Sequence, residues 1–265
     1  MAPAQLSRLR PQIIALSSLF EQPHQYIKAL VALLEKYRSE VDISTAGIKP
    51  HSLIRKLNIP QILTEQLGIS FNHLCNQYPE EAIQIAKSIW DLDYFEYKQI
   101  SLLLLSNLPN DFQDNFFSHI LHDVTHESPS PIFSIILEIM EQDLDQENAN
   151  NWLVIINSWL ESEHLYLRKQ GVRTLSKFLK ARNQFLPPQI SSSLSQIFSN
   201  PTISMQGELI ELVKILSAIS LNEAAALLIS LGVQNPHKDT RVFLRKCAFL
   251  FPENIAKTIR ETSHI

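Results

Sequence analysis

The chain has 265 residues, with 23 lysines and arginines against 27 aspartates and glutamates, which gives a formal net charge of −4 and a pI near 6.1. This balance excludes a uniformly basic nucleic-acid coat protein but leaves room for one local basic surface. Only 5 glycines are present, and neither GxxxxGK[ST] nor GxGxxG occurs, so nucleotide binding through those glycine-rich loops is also excluded.

The N-terminal segment contains an apolar run that is interrupted by serine and followed by Glu21. This run is too short to span a bilayer, and no small-residue cleavage site closes it. The two cysteines, Cys75 and Cys247, are far apart and form no CxxC pair, which favours two buried thiols in a reducing compartment. We therefore expect a soluble, cytoplasmic protein without a membrane-spanning segment.

Helical periodicity continues along almost the whole chain. Apolar residues recur every three or four positions, as in Tyr26, Leu30, Leu33 and Leu34, and strand-like alternation is essentially missing. Prolines stand at the edges of these periodic segments, where proline can begin a helix without interrupting one. The pattern predicts about a dozen helices of roughly 9–18 residues.

The predicted helices form hairpins that recur every 35–40 residues or so, the spacing of HEAT-type repeats. The hairpins pair residues 79–91 with 94–108, 110–126 with 130–146, 149–162 with 164–182, 187–199 with 204–218, and 221–234 with 237–250. This arrangement predicts an all-α, right-handed HEAT-like helical solenoid of about six helix pairs. No shift in composition marks a second domain, so we expect a single domain over residues 1–265, with less regular helices in residues 1–70.

Three histidines recur along the predicted helix FFSHILHDVTHES, at positions 119, 122 and 126, beside Asp123. Imidazoles on one helix face could ligate zinc. The first and third lie about 10 Å apart along the helix axis, however, which is too far for one tetrahedral ion. We therefore expect no metal site, and we expect the tryptophans, Trp90, Trp152 and Trp159, to pack in the core.

The charge pattern changes abruptly near the middle of the chain. No lysine or arginine occurs between Lys98 and Arg168, and six then follow within fifteen residues, after an acidic stretch. Similar basic residues recur in a later hairpin. The candidate contacts to a nucleic-acid backbone are Arg168, Lys169, Arg173, Lys177, Arg241, Arg245 and Lys246. The alternative interpretation is a solvated outer face that pairs with the acidic helices before it.

Two predicted hairpins carry a family resemblance. They read EAIQIAKSIWDLDYFEYKQISLLLLSNL and WLVIINSWLESEHLYLRKQGVRTLSKFL, with GIKPHSLIRK upstream and RVFLRKCAFLFPE downstream. Over roughly residues 45–260 the chain resembles the HEAT-like DNA alkylation repair family of AlkD type. The resemblance implies an all-helical solenoid that holds duplex DNA in a basic concave groove, and active members of that family excise positively charged alkylpurines.

The chain departs from the family pattern where catalysis is expected. Active members carry an inward-facing Trp and Asp one turn apart on the helix that here reads SPSPIFSIILEIMEQDL, and neither stands in its first turns. Ser134, Ile135 and Ile136 occupy the region where the carboxylate is expected, whereas the family's groove arginine matches Arg168 in LYLRKQ. Cleavage at a cationic base needs a carboxylate to stabilise the developing oxocarbenium charge. The resemblance therefore implies DNA binding with weak or no base excision.

The chain offers only partial substitutes for the family's catalytic carboxylate and for its second aromatic residue. Asp143 and Asp145 lie two or more turns further along the helix and could substitute only in a different helix register. Phe249 and Phe251 are the aromatic residues near the position of the family's second aromatic.

The sequence thus leaves two functions open. The first is a DNA-binding protein whose catalytic residue is not identified, so that its status as an enzyme stays open; if active, it would be an alkylpurine DNA glycosylase. The second is a helical scaffold that binds a protein partner through its concave face. Neither requires a cofactor, a metal or a membrane, and we expect a monomer.

Overall fold

The structure is a computed structural model that describes residues 3–39, 54–143, 148–199, 201–234 and 238–262. Those residues form fourteen α-helices and two short 3₁₀ helices, and they contain no β-strand beyond a single bridge between Arg55 and Tyr94. The predicted all-α fold class is confirmed.

The α-helices are α1 (Pro3–Ser17), α2 (Pro23–Lys36), α3 (Gln61–Gln77), α4 (Pro79–Trp90), α5 (Phe95–Ser106), α6 (Gln113–Asp123), α7 (Ser130–Gln142), α8 (Ala149–Glu161), α9 (Leu165–Arg182), α10 (Pro188–Ser199), α11 (Gln206–Ile219), α12 (Leu221–Gln234), α13 (Lys238–Ala248) and α14 (Glu253–Thr262). The 3₁₀ helices Asn110–Phe112 and Ile203–Met205 lead directly into α6 and α11. None of the described helices is both long and apolar enough to cross a bilayer.

Several helix boundaries follow the proline pattern of the sequence, whereas Pro11 lies inside α1. Helices α2 and α4 carry a proline in their first turn, and α10 begins at Pro188. The fixed φ of proline suits this position, where its missing N–H is not needed. At the other end of a helix, α9 stops at Asn183, whose φ of 47° is the left-handed conformation that ends helices.

Contacts divide the chain into two compact units, Met1–Ile136 and Leu137–Ile265. In the first unit, α1, α3 and α5 pack in one layer, α2 and α4 pack in another, and α6 lies against α5. In the second unit, α9, α11 and α13 form one layer, while α8, α10, α12 and α14 form the other. We call these the odd and even layers of each unit. Such alternation of successive helices is typical of a HEAT-like solenoid. The right-handed sense and the single domain remain predictions.

Each unit buries its own apolar core. The largest fully buried side chains include Phe20, Tyr26, Phe71 and Phe116 in the first unit and Trp152, Phe178, Phe198 and Phe243 in the second. Complete burial of one such side chain stabilises the fold by roughly 1.5–3 kcal/mol. Packing between the layers is therefore the main stabilising interaction.

The predicted roles of the tryptophans and cysteines are confirmed. Trp90, Trp152 and Trp159 are all buried in the core. Cys75 and Cys247 are buried free thiols, and burial raises the pKa of each to about 12. Because the thiolate is the nucleophilic form, neither cysteine is reactive near neutral pH.

The three histidines do not form a set on one helix face. Helix α6 ends at Asp123, so His126 lies in the following turn, while His122 is exposed. The side chain of His119 is only 2% exposed, with Nδ1 2.7 Å from Asp123 Oδ2 and its ring 4.4 Å from that of Trp90. His119 is therefore a buried residue, whereas His122 and His126 are exposed. The described residues contain no group of three metal-ligating side chains.

The buried histidine should make stability depend on pH. Burial lowers the pKa of His119 below 6.5, and the Asp123 carboxylate opposes this effect only in part. Below about pH 6.5 the unfolded chain binds a proton that the folded chain does not, so stability falls as the pH decreases through 6.5 towards the folded pKa. His119→Gln should therefore show a smaller decrease in Tm than the wild type between about pH 7.5 and pH 5.5. His122→Gln, at an exposed site, is the control, and an equal pH dependence in both variants would contradict the assignment.

Gly171 allows α9 to approach α8 closely. A Cβ at this position would lie 3.0 Å from the backbone nitrogen of Leu160 and 3.2 Å from its Cγ. Because the backbone cannot move aside easily, Gly171→Ala should destabilise the fold by about 1–2 kcal/mol, even though alanine favours a helix. At Gly207 an added Cβ meets nothing within 4 Å, so Gly207→Ala should be neutral or stabilise by about 0.4–1 kcal/mol. Urea unfolding measures both, and equal stability of the two variants would contradict the prediction.

Candidate nucleic-acid interface

The basic helix predicted from the sequence is α9, in the odd layer of the second unit. Its apolar residues, including Val172 and Leu175, are buried. Arg173, Lys177 and Lys180 are exposed, at intervals of four and three residues, which places them on one side of the helix. The chain therefore presents a basic stripe on the solvent side of α9.

This stripe borders a groove of about 1050 Å³ between α7, α9 and α11, which we call the α9 groove. The charged residues that line it are Arg173, Lys177, Lys180 and Lys214 together with Glu141, Glu208 and Glu211. Four cations and three carboxylates leave only a small excess of positive charge. The groove is therefore a surface of mixed charge. It is less basic than the stripe of cations on α9 alone would indicate.

Ion pairs connect the groove's cations to its carboxylates. Arg173 Nη2 lies 2.8 Å from Glu208 Oε1 on α11, and Lys177 Nζ lies 2.7 Å from Glu141 Oε1 on α7. The cationic side chains of these pairs are about half exposed, 50% and 48%. The pair of Lys177 with Glu141, which is exposed on both sides, contributes about 0–1 kcal/mol to stability, because water competes for both partners.

Apolar residues also line the groove. They are Leu137 on α7, Ala181 near the end of α9, and Ile215, Ala218 and Ile219 on the last turns of α11. The groove thus combines charged and apolar lining residues.

Helix α13 carries three of the residues that the sequence predicts to contact a nucleic-acid backbone, namely Arg241, Arg245 and Lys246. Lys246 Nζ donates a hydrogen bond to Gln206 Oε1 in the first turn of α11, over 2.6 Å. Because Arg173 reaches Glu208 in the same turn, residues of α9 and α13 meet at the start of α11. Arg245 is exposed and Arg241 is half-buried.

Arg168 and Lys169 are half-buried in the first turns of α9. The Nε atom of Arg168 is buried, and it has no hydrogen-bond partner within the part of the chain that the structure describes. A buried guanidinium N–H without an acceptor is costly. An anionic ligand would satisfy this donor.

No carboxylate stands in the first turns of α7, where the family resemblance leads us to expect one. Ser134 is exposed, whereas Ile135 and Ile136 are buried. Asp143, which follows α7, accepts hydrogen bonds from Asn148 Nδ2 at 2.8 Å and from Trp152 Nε1 at 3.2 Å. Both of its oxygens therefore have partners within the protein. Asp145 lies outside the described residues.

The two candidate aromatic residues differ in exposure. Phe251 is 8% exposed and belongs to the core, whereas Phe249 is 79% exposed, with the Arg260 guanidinium 5.5 Å from its ring centroid. Of the two, only Phe249 can contact a ligand.

The first unit has a smaller groove, of about 470 Å³, between α3 and α5. Its charged lining residues are Lys56, Glu65 and Glu96. Glu96 is buried, and its two oxygens accept the backbone N–H groups of Leu57 and Asn58, each over 2.9 Å. This carboxylate ties the segment before α3 to the first turn of α5, which is a structural role that sequence analysis missed.

The paired carboxylates of the α9 groove were also missed, although the sequence contains a signal for them. Arg173 and Glu208 are 35 residues apart, and Glu141 and Lys177 are 36 residues apart. These separations equal one repeat of the solenoid, and residues one repeat apart lie side by side on neighbouring helices of a layer. A search for opposite charges at that spacing would have found both pairs.

Comparison with known proteins agrees with the all-helical architecture. A family model described as DNA alkylation repair enzyme matches residues 64–200, from within α3 to the end of α10, which is more than half of the chain. No curated protein and no solved structure matches. The match supports a role of the DNA-alkylation-repair type and covers the basic helix α9. The chain belongs to the DNA alkylation repair enzyme family.

Proposed function

We propose that this chain binds duplex DNA through the basic residues of α9 and α13 and that it excises alkylated bases weakly or not at all. The observation that carries the proposal is the half-buried Arg168, whose Nε donor lacks an acceptor among the described residues. Arginine in such a position suits a phosphate, because its planar fork can donate two parallel hydrogen bonds to phosphate oxygens.

The other proposed contacts form two groups. Lys169 and Arg241, both half-buried, lie on α9 and α13 and have no ion pair within the described residues. The second group consists of side chains that donate hydrogen bonds to side-chain oxygens of the protein: Arg173, Lys177 and Lys246. On binding, they would donate to phosphate oxygens instead. Arg245 completes the set on α13. Contacts of this type position the duplex without reading its sequence.

Weak excision follows from the absence of a suitable carboxylate in the first turns of α7. Loss of an N-glycosidic bond develops positive charge on the sugar, and a nearby carboxylate must stabilise it. Those turns offer Ser134, Ile135 and Ile136, and Asp143 already accepts two hydrogen bonds. Loss of one such electrostatic group typically lowers a rate by about 10²–10³-fold.

A second candidate function is a scaffold for a protein partner. The observation that favours it is the α9 groove, whose lining includes the apolar Ile215 and Ile219 as well as paired charges. Salt separates the two functions. DNA binding through several phosphates weakens steeply as salt rises, whereas an apolar protein contact does not.

Charge reversal tests the DNA-binding surface. Arg168→Glu/Lys169→Glu should weaken binding to a duplex of about 20 base pairs by tenfold or more at low salt and should reduce the salt slope by up to about 0.9 for each phosphate that the variant no longer binds. Fluorescence anisotropy across a salt series measures both quantities. Lys28→Glu/Lys257→Glu, on α2 and α14, makes the same change in net charge at exposed sites on the even layers. Equal decreases in affinity in the two variants would contradict a specific surface, and no wild-type binding at low salt would favour the protein scaffold.

Base release from methylated duplex DNA tests the catalytic half of the proposal. The wild type should release alkylpurines no faster than about 10⁻²–10⁻³ of the rate of an enzyme that has its carboxylate. Asp143→Asn should change this rate little, although it replaces one of the two accepting oxygens by an NH2 donor and should therefore lower Tm. Chromatography of the released bases provides the measurement. Rapid release that Asp143→Asn or Asp145→Asn abolishes would show a true glycosylase with a different helix register.

A further inference from the structure

Carboxylates lie beside two of the cations that the proposed DNA contact requires. Glu208 Oε1 is 2.8 Å from Arg173 Nη2, and Glu141 Oε1 is 2.7 Å from Lys177 Nζ. Charge-assisted hydrogen bonds to carboxylates and to phosphates have the same length, so each carboxylate occupies a place that a phosphate oxygen would take. The remaining N–H donors of each cation stay within reach of a phosphate, but a phosphate that approaches them meets the negative charge of the carboxylate.

The two carboxylates differ in how firmly the fold holds them. Glu141 is 45% exposed and its partner Lys177 is 48% exposed, so the pair contributes little to stability. Glu208 differs, because its side chain is only 14% exposed and is packed at the start of α11 beside Arg173. A carboxylate that is held in place in this way does not move aside freely when a phosphate approaches.

We propose that Glu141 and Glu208 determine the specificity of this surface by competing with phosphate for Lys177 and Arg173. Ligands with few phosphates gain too little to displace two carboxylates, whereas a duplex presents many phosphates in a fixed arrangement and binds other cations of the surface at the same time. The inference rests on the proposed DNA-binding function and names the residues that set its selectivity.

The same competition should appear in the salt dependence. DNA binding is stronger at low salt because the bound protein releases the cations condensed on the phosphates. A carboxylate that remains beside the phosphates lowers the positive charge that the protein brings to the duplex, so fewer condensed cations are released. The salt slope of the wild type should therefore be shallower than that of a variant without the two carboxylates, by up to about 0.9 per residue.

The test variant is Glu141→Gln/Glu208→Gln. Glutamine keeps the length of the side chain and still accepts a hydrogen bond, but it carries no charge. The matched control is Glu223→Gln/Glu261→Gln, which removes two exposed carboxylates from α12 and α14, on the even layer of the same unit. Both variants have the same net charge, and thermal denaturation checks that both fold. The probes are a labelled duplex of about 20 base pairs and a single strand of about four nucleotides.

We expect the test variant to bind the duplex about three- to tenfold more tightly than the control at roughly 50 mM salt, and the difference to vanish near 500 mM. The affinity for the single strand should increase by a larger factor than the affinity for the duplex. The preference for the duplex over the single strand should therefore be smaller in the test variant than in the wild type. A double-mutant cycle identifies the cation involved. In the wild-type background, Glu208→Gln should tighten duplex binding. In a protein that already carries Arg173→Gln, the same substitution should change the duplex affinity no more than removal of a control carboxylate does.

The outcomes separate the inference from the proposed function. If the wild type binds the duplex and the test variant matches the control in affinity and salt slope, the inference is wrong and DNA binding stands. If neither the wild type nor the test variant binds at low salt, the proposed function fails and the inference fails with it. Binding by the test variant alone would contradict the proposed function, because the natural chain would not bind DNA, and the two carboxylates would then block binding rather than set its selectivity.

Discussion

Each helix of this protein depends on its neighbours one repeat away. An amphipathic hairpin cannot bury its apolar faces alone, so α9 needs α8 from its own hairpin and α11 from the next one. The fit is close at Gly171, where the absence of a Cβ lets the two helices of the hairpin approach. Trp152, Phe178 and Phe243 are almost completely buried in the second unit. Burial of these side chains fixes the helix positions, and the surface features follow from them.

The same stacking arranges the surface charges. Residues one repeat apart become neighbours, so Arg173 meets Glu208, Lys177 meets Glu141 and Lys246 meets Gln206 across 35, 36 and 40 residues of sequence. A stripe that is basic on its own helix is thereby set among carboxylates of the adjoining helices. The result is a surface of mixed charge, and the DNA binding proposed for it would depend on how readily those carboxylates give way, since local charge matters more than net charge at contact distance.

Binding and catalysis place different demands on such a scaffold. Phosphate contacts tolerate variation, because each of several cations contributes a modest share of the affinity. Cleavage of a glycosidic bond depends on one carboxylate at one position, and its loss is not compensated by neighbours. A family member can therefore retain a basic helix, as α9 does, while Ser134, Ile135 and Ile136 stand where the carboxylate is expected. Asp143, which follows α7, has a structural role instead, because its two oxygens accept hydrogen bonds from Asn148 and Trp152.

The sequence by itself determined the all-α class, the helix boundaries at its prolines, the buried tryptophans and cysteines, and the basic stripe on α9, because each follows from local periodicity. It also carried the family resemblance through short hairpin motifs. Tertiary structure decided the rest. His119 is buried against Trp90, Glu96 holds two backbone N–H groups, and the α9 groove is mixed in charge. These features depend on which residues of different helices become neighbours, and helical periodicity describes only one helix at a time.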